Sequence, residues 1–441
     1  MPAGYHGREW FNDNSAFDSA TSPVDVFAIM ESKAEATADR FAPDGPYAMI
    51  RLWLALLVAS IAGVGMWAIV VVIPEVQTEF GVDRSDATLP YTFTMLGFAF
   101  GTIVLGRMSD KFGIVPPILI AGACLGIGFI GGGFAPNLTV FTILHGLFVG
   151  VGAGTGFAPM IADISHWFVK RRGFAVVIVA SGNYAAGTVW PLFIRYAMPE
   201  IGWRNTYIAI GVIVALTIIP LAFLFKRRPA QTVYSAAETA TEVARADLGV
   251  SPAILQVLLI TAGFACCVAM SMPQVHLVAY CTDLGYGGAR GAEMLSLMLF
   301  LGIASRIGSG IVADRIGGSA TLMIGSIMQG TALLLYLFFN GLSSLYIISG
   351  IFGLFQGGIV PMYAVICREF LPPREAGARI GLVVSATIFG MAFGGYISGL
   401  IFDWTQSYRL AFLNGLAWNA VNLMVVGYLI WRRRAALGAP A

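Results

Sequence analysis

Residues 106–113 read GRMSDKFG and residues 310–317 read GIVADRIG. Glycine, acid, base and glycine recur at the same four places, Gly106, Asp110, Lys111 and Gly113 against Gly310, Asp314, Arg315 and Gly317, with an offset of 204 residues. A second echo, Trp203-Arg204 against Tyr408-Arg409, has an offset of 205. A chain that repeats itself at half its length is built from two similar units. Each octapeptide stands at the polar end of an apolar stretch long enough to cross the roughly 30 Å hydrocarbon core of a bilayer as a helix. Two such units in parallel repeat put a ligand site near the membrane midplane between them.

The rest of the chain agrees. Of 441 residues, 57% are hydrophobic and 11% charged, with a mean hydropathy of +0.78, far more apolar than a soluble domain. Apolar spans recur at 52–74, 88–108, 115–134, 139–163, 172–196 and 204–226, then at 252–280, 291–312, 318–339, 343–369, 376–401 and 407–431. The expectation is an all-α membrane protein of twelve transmembrane helices in two pseudo-symmetric six-helix halves, 51–228 and 251–434. Residues 229–250 read as an interdomain linker. Residues 1–50 are rich in acid, carry no apolar run and fit neither a signal nor a transit peptide, so a disordered cytoplasmic tail is expected there, with a short second tail at 435–441. Of the Lys and Arg after residue 51, Arg306 apart, sixteen fall at the ends on the side of the termini, and five, Arg84, Arg195, Arg204, Arg290 and Arg409, on the other. Both termini are therefore expected on the cytoplasmic face of a cell inner membrane.

One charge breaks the pattern. Arg306 lies eight residues before Asp314, which places it about 12 Å inside the membrane from that end. A charge at that depth costs at least about 2.5–3.5 kcal/mol on insertion scales and normally faces a bundle interior, where it meets a partner or a ligand. At the repeat offset its counterpart is Thr102, so the arginine is no part of the repeated scaffold. Two uses are open: a lock paired to an intramembrane acid, for which the second half offers only Glu369 near a span end, or an anion site.

GRMSDKFG resembles the loop 2–3 signature of the major facilitator superfamily, and the resemblance covers roughly residues 50–434. It implies a cytoplasmic latch, in which Gly106, Arg107, Asp110 and Lys111, with Gly310, Asp314 and Arg315 in the second copy, stabilise one alternating state. Gly106 and Gly113 would allow close helix approach and a tight turn; a generic cation-rich loop is the plainer reading. Residues 167–187, WFVKRRGFAVVIVASGNYAAG, are similar to the loop 4–5 region of the monocarboxylate porter branch, which includes bacterial oxalate:formate antiporter relatives. In that branch an arginine in helix 8, followed by a glycine and the loop acid, binds the substrate carboxylate, and Arg306, Gly310 and Asp314 match that order. There are departures. Animal members have an aspartate where this chain has Gly302 and a lysine in helix 1, of which 52–74 contains none; the oxalate exchanger has a second cation in helix 11, where 380–401 has none. One buried cation favours a monoanion over a dianion.

The function so read is a secondary active transporter of a small organic monocarboxylate, with H+ as the coupling ion that the resemblance implies and exchange left open. A drug or metabolite efflux transporter of the same fold is the rival. Asn183, Tyr184, Tyr91, Gln356 and Tyr363 are candidates to complete the substrate site with Arg306, alongside Thr94, Gln274, Asn419 and Asn422, each of which could equally be interhelical glue. His276 is the candidate for proton coupling, since imidazole titrates near neutrality, although an interfacial histidine reads as well. Trp67, Phe98 and Trp190 could wall the cavity. The five cysteines read as small packing residues. Gly150, Gly152, Gly154 and Gly156 fail the dinucleotide spacing and read as close packing, and no hydrolase, zincin or P-loop motif occurs. No enzyme activity, cofactor, metal or nucleic acid is expected; the partners are the anion and the lipid bilayer, with the monomer as the working unit.

Overall fold

The computed structural model describes residues 43–168, 171–227, 250–371 and 376–436, and all regular structure among them is helical. The expected tails and the 229–250 linker fall almost wholly outside the described residues. Ten helical runs are long and apolar enough to cross a membrane once: α1 (Pro46–Phe80), α2 (Arg84–Phe112), α3 (Val115–Gly133), α4 (Leu138–Ser165), α7 (Pro252–Asp283), α8 (Gly288–Ile316), α9 (Gly318–Phe338), α10 (Leu342–Cys367), α11 (Arg379–Thr405) and α12 (Tyr408–Ala435). An eleventh, Gly173–Phe225, has 53 residues, about twice what one crossing needs. Gly202 interrupts it with φ 76° and ψ 161°, a conformation open to glycine, and divides it into α5 (residues 173–201) and α6 (residues 203–225). The described residues thus make twelve legs from eleven runs.

Local chemistry sets the ends. α1 starts at Pro46, inside the expected tail, because a proline in the first turn has no N–H to leave unsatisfied and Gly45 precedes it. The side chain of Ser251 caps α7 ahead of Pro252, accepting the Ile254 N–H at 3.3 Å. The repeated octapeptides end alike: α2 stops at Gly113 (φ 86°) and α8 at Gly317 (φ 85°), each returning its N–H to a carbonyl four residues back. These are the tight turns that the motif predicts.

Each half has its own apolar core, and the first-half core continues into the second through Val275, Val278, Leu295 and Leu299. The glycine run in α4 is close packing throughout. An added Cβ would lie 2.4 Å from α2 at Gly150, 2.8 Å from α3 at Gly152, 2.7 Å from α2 at Gly154 and 3.1 Å from α1 at Gly156. Between the halves the contacts are α2 with α11, α5 with α8, and α1 with α7 and α8. The hydrogen bonds and ion pairs that join them run from the end away from the termini, the far end, down to the level of Arg306.

Candidate substrate site

Arg306 of α8 is 6% exposed, and no ion pair reaches it among the described residues. Its partners are backbone. Nη1 donates to the Ala180 carbonyl at 2.7 Å and Nε to the Gly357 carbonyl at 3.2 Å. Both acceptors stand where a helix is interrupted: α5 breaks at Ser181, just after the segment Arg172–Ala180, and α10 breaks at Gly357 and Gly358, between Leu342–Gln356 and Ile359–Phe370. Segment C-termini carry partial negative charge and unsatisfied carbonyls, so they hold a cation without neutralising it. The lock to an acid is therefore not what the structure contains; Glu369 instead accepts the Gly318 N–H at 3.0 Å.

Above the guanidinium lies the Tyr184 ring, 4.2 Å from its centroid, in cation–π contact. The Tyr184 hydroxyl donates to Gln356 Oε1 at 3.2 Å, and Gln274 Nε2 donates to the same oxygen at 2.9 Å. Gln356 is 0% exposed, and its Nε2 has no partner. Gly302, where a Cβ would lie 2.5 Å from the Tyr184 ring and 3.4 Å from Gln356 Nε2, makes this possible. The tyrosine ring occupies the space that a side chain at 302 would need.

Of the residues expected around Arg306, Tyr184 meets it, and Gln356 and Gln274 lie behind the tyrosine. Asn183 turns to α1, where its main-chain and side-chain oxygens accept the Trp67 indole N–H at 2.9 and 3.0 Å. Trp190 likewise donates to Ser60 O, and Phe98 packs near Phe157. Thr94 bonds its own helix at Pro90 O. Tyr91, 1% exposed with its hydroxyl unpartnered, packs across the halves against Gly395. Tyr363 is elsewhere: it donates to Ala262 O at 3.0 Å and Asn422 Oδ1 at 2.8 Å, while Asn422 and Asn419 bind Ser326. That set ties α7, α9, α10 and α12 together and matches the interhelical-glue reading. His276 is also apart from Arg306, bonded to Tyr408 and Gly395.

A sequence profile of the Major Facilitator Superfamily matches residues 55–344 and 294–441. The chain belongs to the Major Facilitator Superfamily. Among its relatives are monocarboxylate transporter 13 of Bos taurus, 24% identical over 71% of this chain and 73% of that protein, and the agnestins efflux protein of Paecilomyces divaricatus, 23% identical over 74% of each. The fold is similar to that of a bacterial homolog of the human lysosomal transporter Spinster in an inward-facing, unoccupied conformation, with a TM-score of 0.68 and 15% identity over 90% of this chain and 99% of that one. The chain is a multi-pass membrane transporter and not an enzyme.

In this facilitator the far end is closed by two arginines that the sequence marks only as loop cations, Arg84 and Arg195, and by the acids they meet. Arg84, at the start of α2, is 5% exposed. Its Nη1 and Nη2 donate to the Asp283 carboxylate of α7, both at 3.1 Å, and Nη1 also to Tyr408 Oη of α12 at 2.6 Å. Asp403 of α11 accepts the backbone N–H groups of Arg84 and Ser85, both at 2.8 Å. Arg195 of α5 pairs with Glu293 of α8. At the other end Arg107, Asp110, Lys111, Asp314 and Arg315 are exposed and make no ion pair among the described residues. A Cβ on Gly106 or Gly310 would meet nothing within 4 Å, so the close approach expected at Gly106 is absent from this conformation. A further pair escaped the sequence reading: Arg51 binds Asp163 through Nε at 2.8 Å and Nη2 at 2.7 Å, both residues buried, and joins α1 to α4. The available signal was Asp163 itself, an acid inside the 139–163 span.

Proposed function

We propose that the chain carries a small organic monocarboxylate across the cell inner membrane by alternating access, with the end that bears the termini facing the cytoplasm and Arg306 holding the carboxylate. The observation that carries this reading is a buried guanidinium whose partners are two carbonyls and an aromatic ring, none of them charged. A carboxylate offers it two parallel charge-assisted hydrogen bonds, which a carbonyl cannot. Binding neutralises the charge, so enclosing the loaded site costs less than enclosing the empty one. With a single cation the site suits a monoanion. Gln356 Nε2, an unsatisfied donor on the side chain that Tyr184 holds, offers the substrate a further contact, and Tyr184 positions both groups. Asn183 and Tyr91 support the walls. Uptake with a proton is what the branch implies, and exchange uses the same site.

The conformation, sealed at the far end and unpaired at the octapeptides, is read as inward-facing. Gly106, Arg107, Asp110 and Lys111, with Gly310, Asp314 and Arg315, then act as the latch of the opposite state. Relatives named monocarboxylate transporters support the substrate class.

The test is thermal unfolding of the purified protein with a panel of monocarboxylates, dicarboxylates and cationic drugs, in parallel with Arg306→Ala. A monocarboxylate at a hundredfold excess over its Kd is expected to stabilise the protein by about 2.7 kcal/mol, and the variant to lose the response. A response confined to neutral or cationic compounds, or a variant that keeps the carboxylate response, overturns the role of Arg306 and moves the efflux reading ahead.

A further inference from the structure

The outer seam contains a directed chain of hydrogen bonds that ends on a buried imidazole. His276 of α7 is 0% exposed. Its Nε2 lies 2.8 Å from the Gly395 carbonyl of α11; a carbonyl only accepts, so this nitrogen carries the proton. In the neutral ring Nδ1 is then an acceptor and takes the Tyr408 O–H at 3.2 Å. The Tyr408 oxygen in turn accepts Arg84 Nη1 at 2.6 Å. A neutral imidazole thus stands one tyrosine away from the guanidinium that ties the first half to the second.

We propose that Nδ1 of His276 is the proton-binding site of this carrier, and that a proton bound there opens the outer seam. The proposal rests on the carrier reading above. A proton from outside converts Nδ1 from acceptor to donor. The Tyr408 O–H loses its acceptor and rotates away, and the Tyr408 oxygen then receives donors from both the imidazolium and Arg84. Two cations share one phenol oxygen in a site shielded from water, where their repulsion is poorly screened. The titratable and charged groups at this end of α7 and of the helices packed against it decide whether this is compensated. α2 brings Arg84 and Tyr91, α11 brings Asp403, α12 brings Tyr408, and α7 itself carries Tyr280 and Asp283. The two carboxylates are already engaged, Asp283 by the Arg84 guanidinium and Asp403 by the backbone of Arg84 and Ser85. A charge on His276 therefore competes with Arg84 for the acids that hold the seam. α8 brings Arg290 and Glu293, paired to each other. α1 brings Glu75, which has one buried oxygen without a partner and is the alternative proton site that the test must separate.

Spin labels on cysteines introduced at Asp86 and Thr405, exposed at the outer ends of α2 and α11, measure the seam directly by double electron–electron resonance. Cys124, the one half-buried native cysteine among five, is replaced by serine, and no substrate is added. Between about pH 8 and about pH 4 the long-distance population is expected to grow at the expense of the short one, with a slope approaching about tenfold per pH unit, the limit for one proton. His276→Gln should stay short throughout, and His276→Asn gives the same readout if the glutamine variant does not fold. Three results overturn the proposal: a wild type insensitive to pH, histidine variants that still open, or loss of opening in Glu75→Gln with the histidine intact. Arg306→Ala should keep the pH response, so failure of the carboxylate site and failure of the proton site are separate results.

Discussion

A guanidinium buried without a carboxylate has to be held by something, and at Arg306 two interrupted helices do it. The Ala180 and Gly357 carbonyls satisfy its donors but leave its charge, and the Tyr184 ring closes over it. This arrangement depends on Gly302. A methyl group there would sit 2.5 Å from the Tyr184 ring, so Gly302→Ala is expected to displace the tyrosine and cost about 1–3 kcal/mol, read from thermal unfolding. In a Tyr184→Ala background the same substitution should cost clearly less, because the two residues share one contact. The position of Arg306 was legible in the sequence because a lone charge in an apolar span stands out. That its partners are carbonyls was not, because a backbone acceptor has no sequence signature.

At the scale of elements, the two glycines of each octapeptide separate into different jobs. Gly113 and Gly317 hold φ near +85°, where a Cβ is strained, while Gly106 and Gly310 face open space. Gly113→Ala and Gly317→Ala are each expected to lower stability by about 1 kcal/mol or more. Gly106→Ala and Gly310→Ala should leave thermal stability within about 0.5 kcal/mol of wild type and yet slow transport in proteoliposomes, because the close approach that needs them belongs to the proposed opposite state. Equal stability with unchanged transport would remove Gly106 and Gly310 from the latch. The motif was readable as a repeat; which glycine serves this conformation was decided by what packs beside it.

For the whole molecule, the proposed alternation between two states puts the balance between them in the contacts at each end. At the far end Asp403 accepts two backbone N–H groups of the other half, and Gly399 lies against Ser85, with an added Cβ only 3.0 Å from its Cα. Asp403→Ala should release that seam. A cysteine at position 85, where the native serine is 7% exposed, should then react with a thiol reagent about 5–30-fold faster, the equivalent of 1–2 kcal/mol. Asp110→Ala, which removes a group of the proposed opposite latch, should slow the same reaction. An unchanged rate in Asp403→Ala would mean that the apolar contacts alone keep the far end closed.

By itself the sequence determined the all-helical membrane class and the approximate limits of the apolar spans, the repeated octapeptide, the family, and the one arginine out of place. Each of these depends on local composition or on spacing along the chain, because apolar length decides insertion and every backbone hydrogen bond of a membrane helix is local. Only the tertiary structure decided which polar groups meet. Arg51 finds Asp163 at a separation of 112 residues and Arg84 finds Asp403 at 319. His276 lands on Tyr408 in the far-end seam, away from Arg306, and Tyr363 lands on Asn422 in the second half. The physical reason is that a charge or hydroxyl in an apolar span must be satisfied by whatever the packed bundle brings within about 3 Å, and that distance is set across helices, where no pattern along one helix records it.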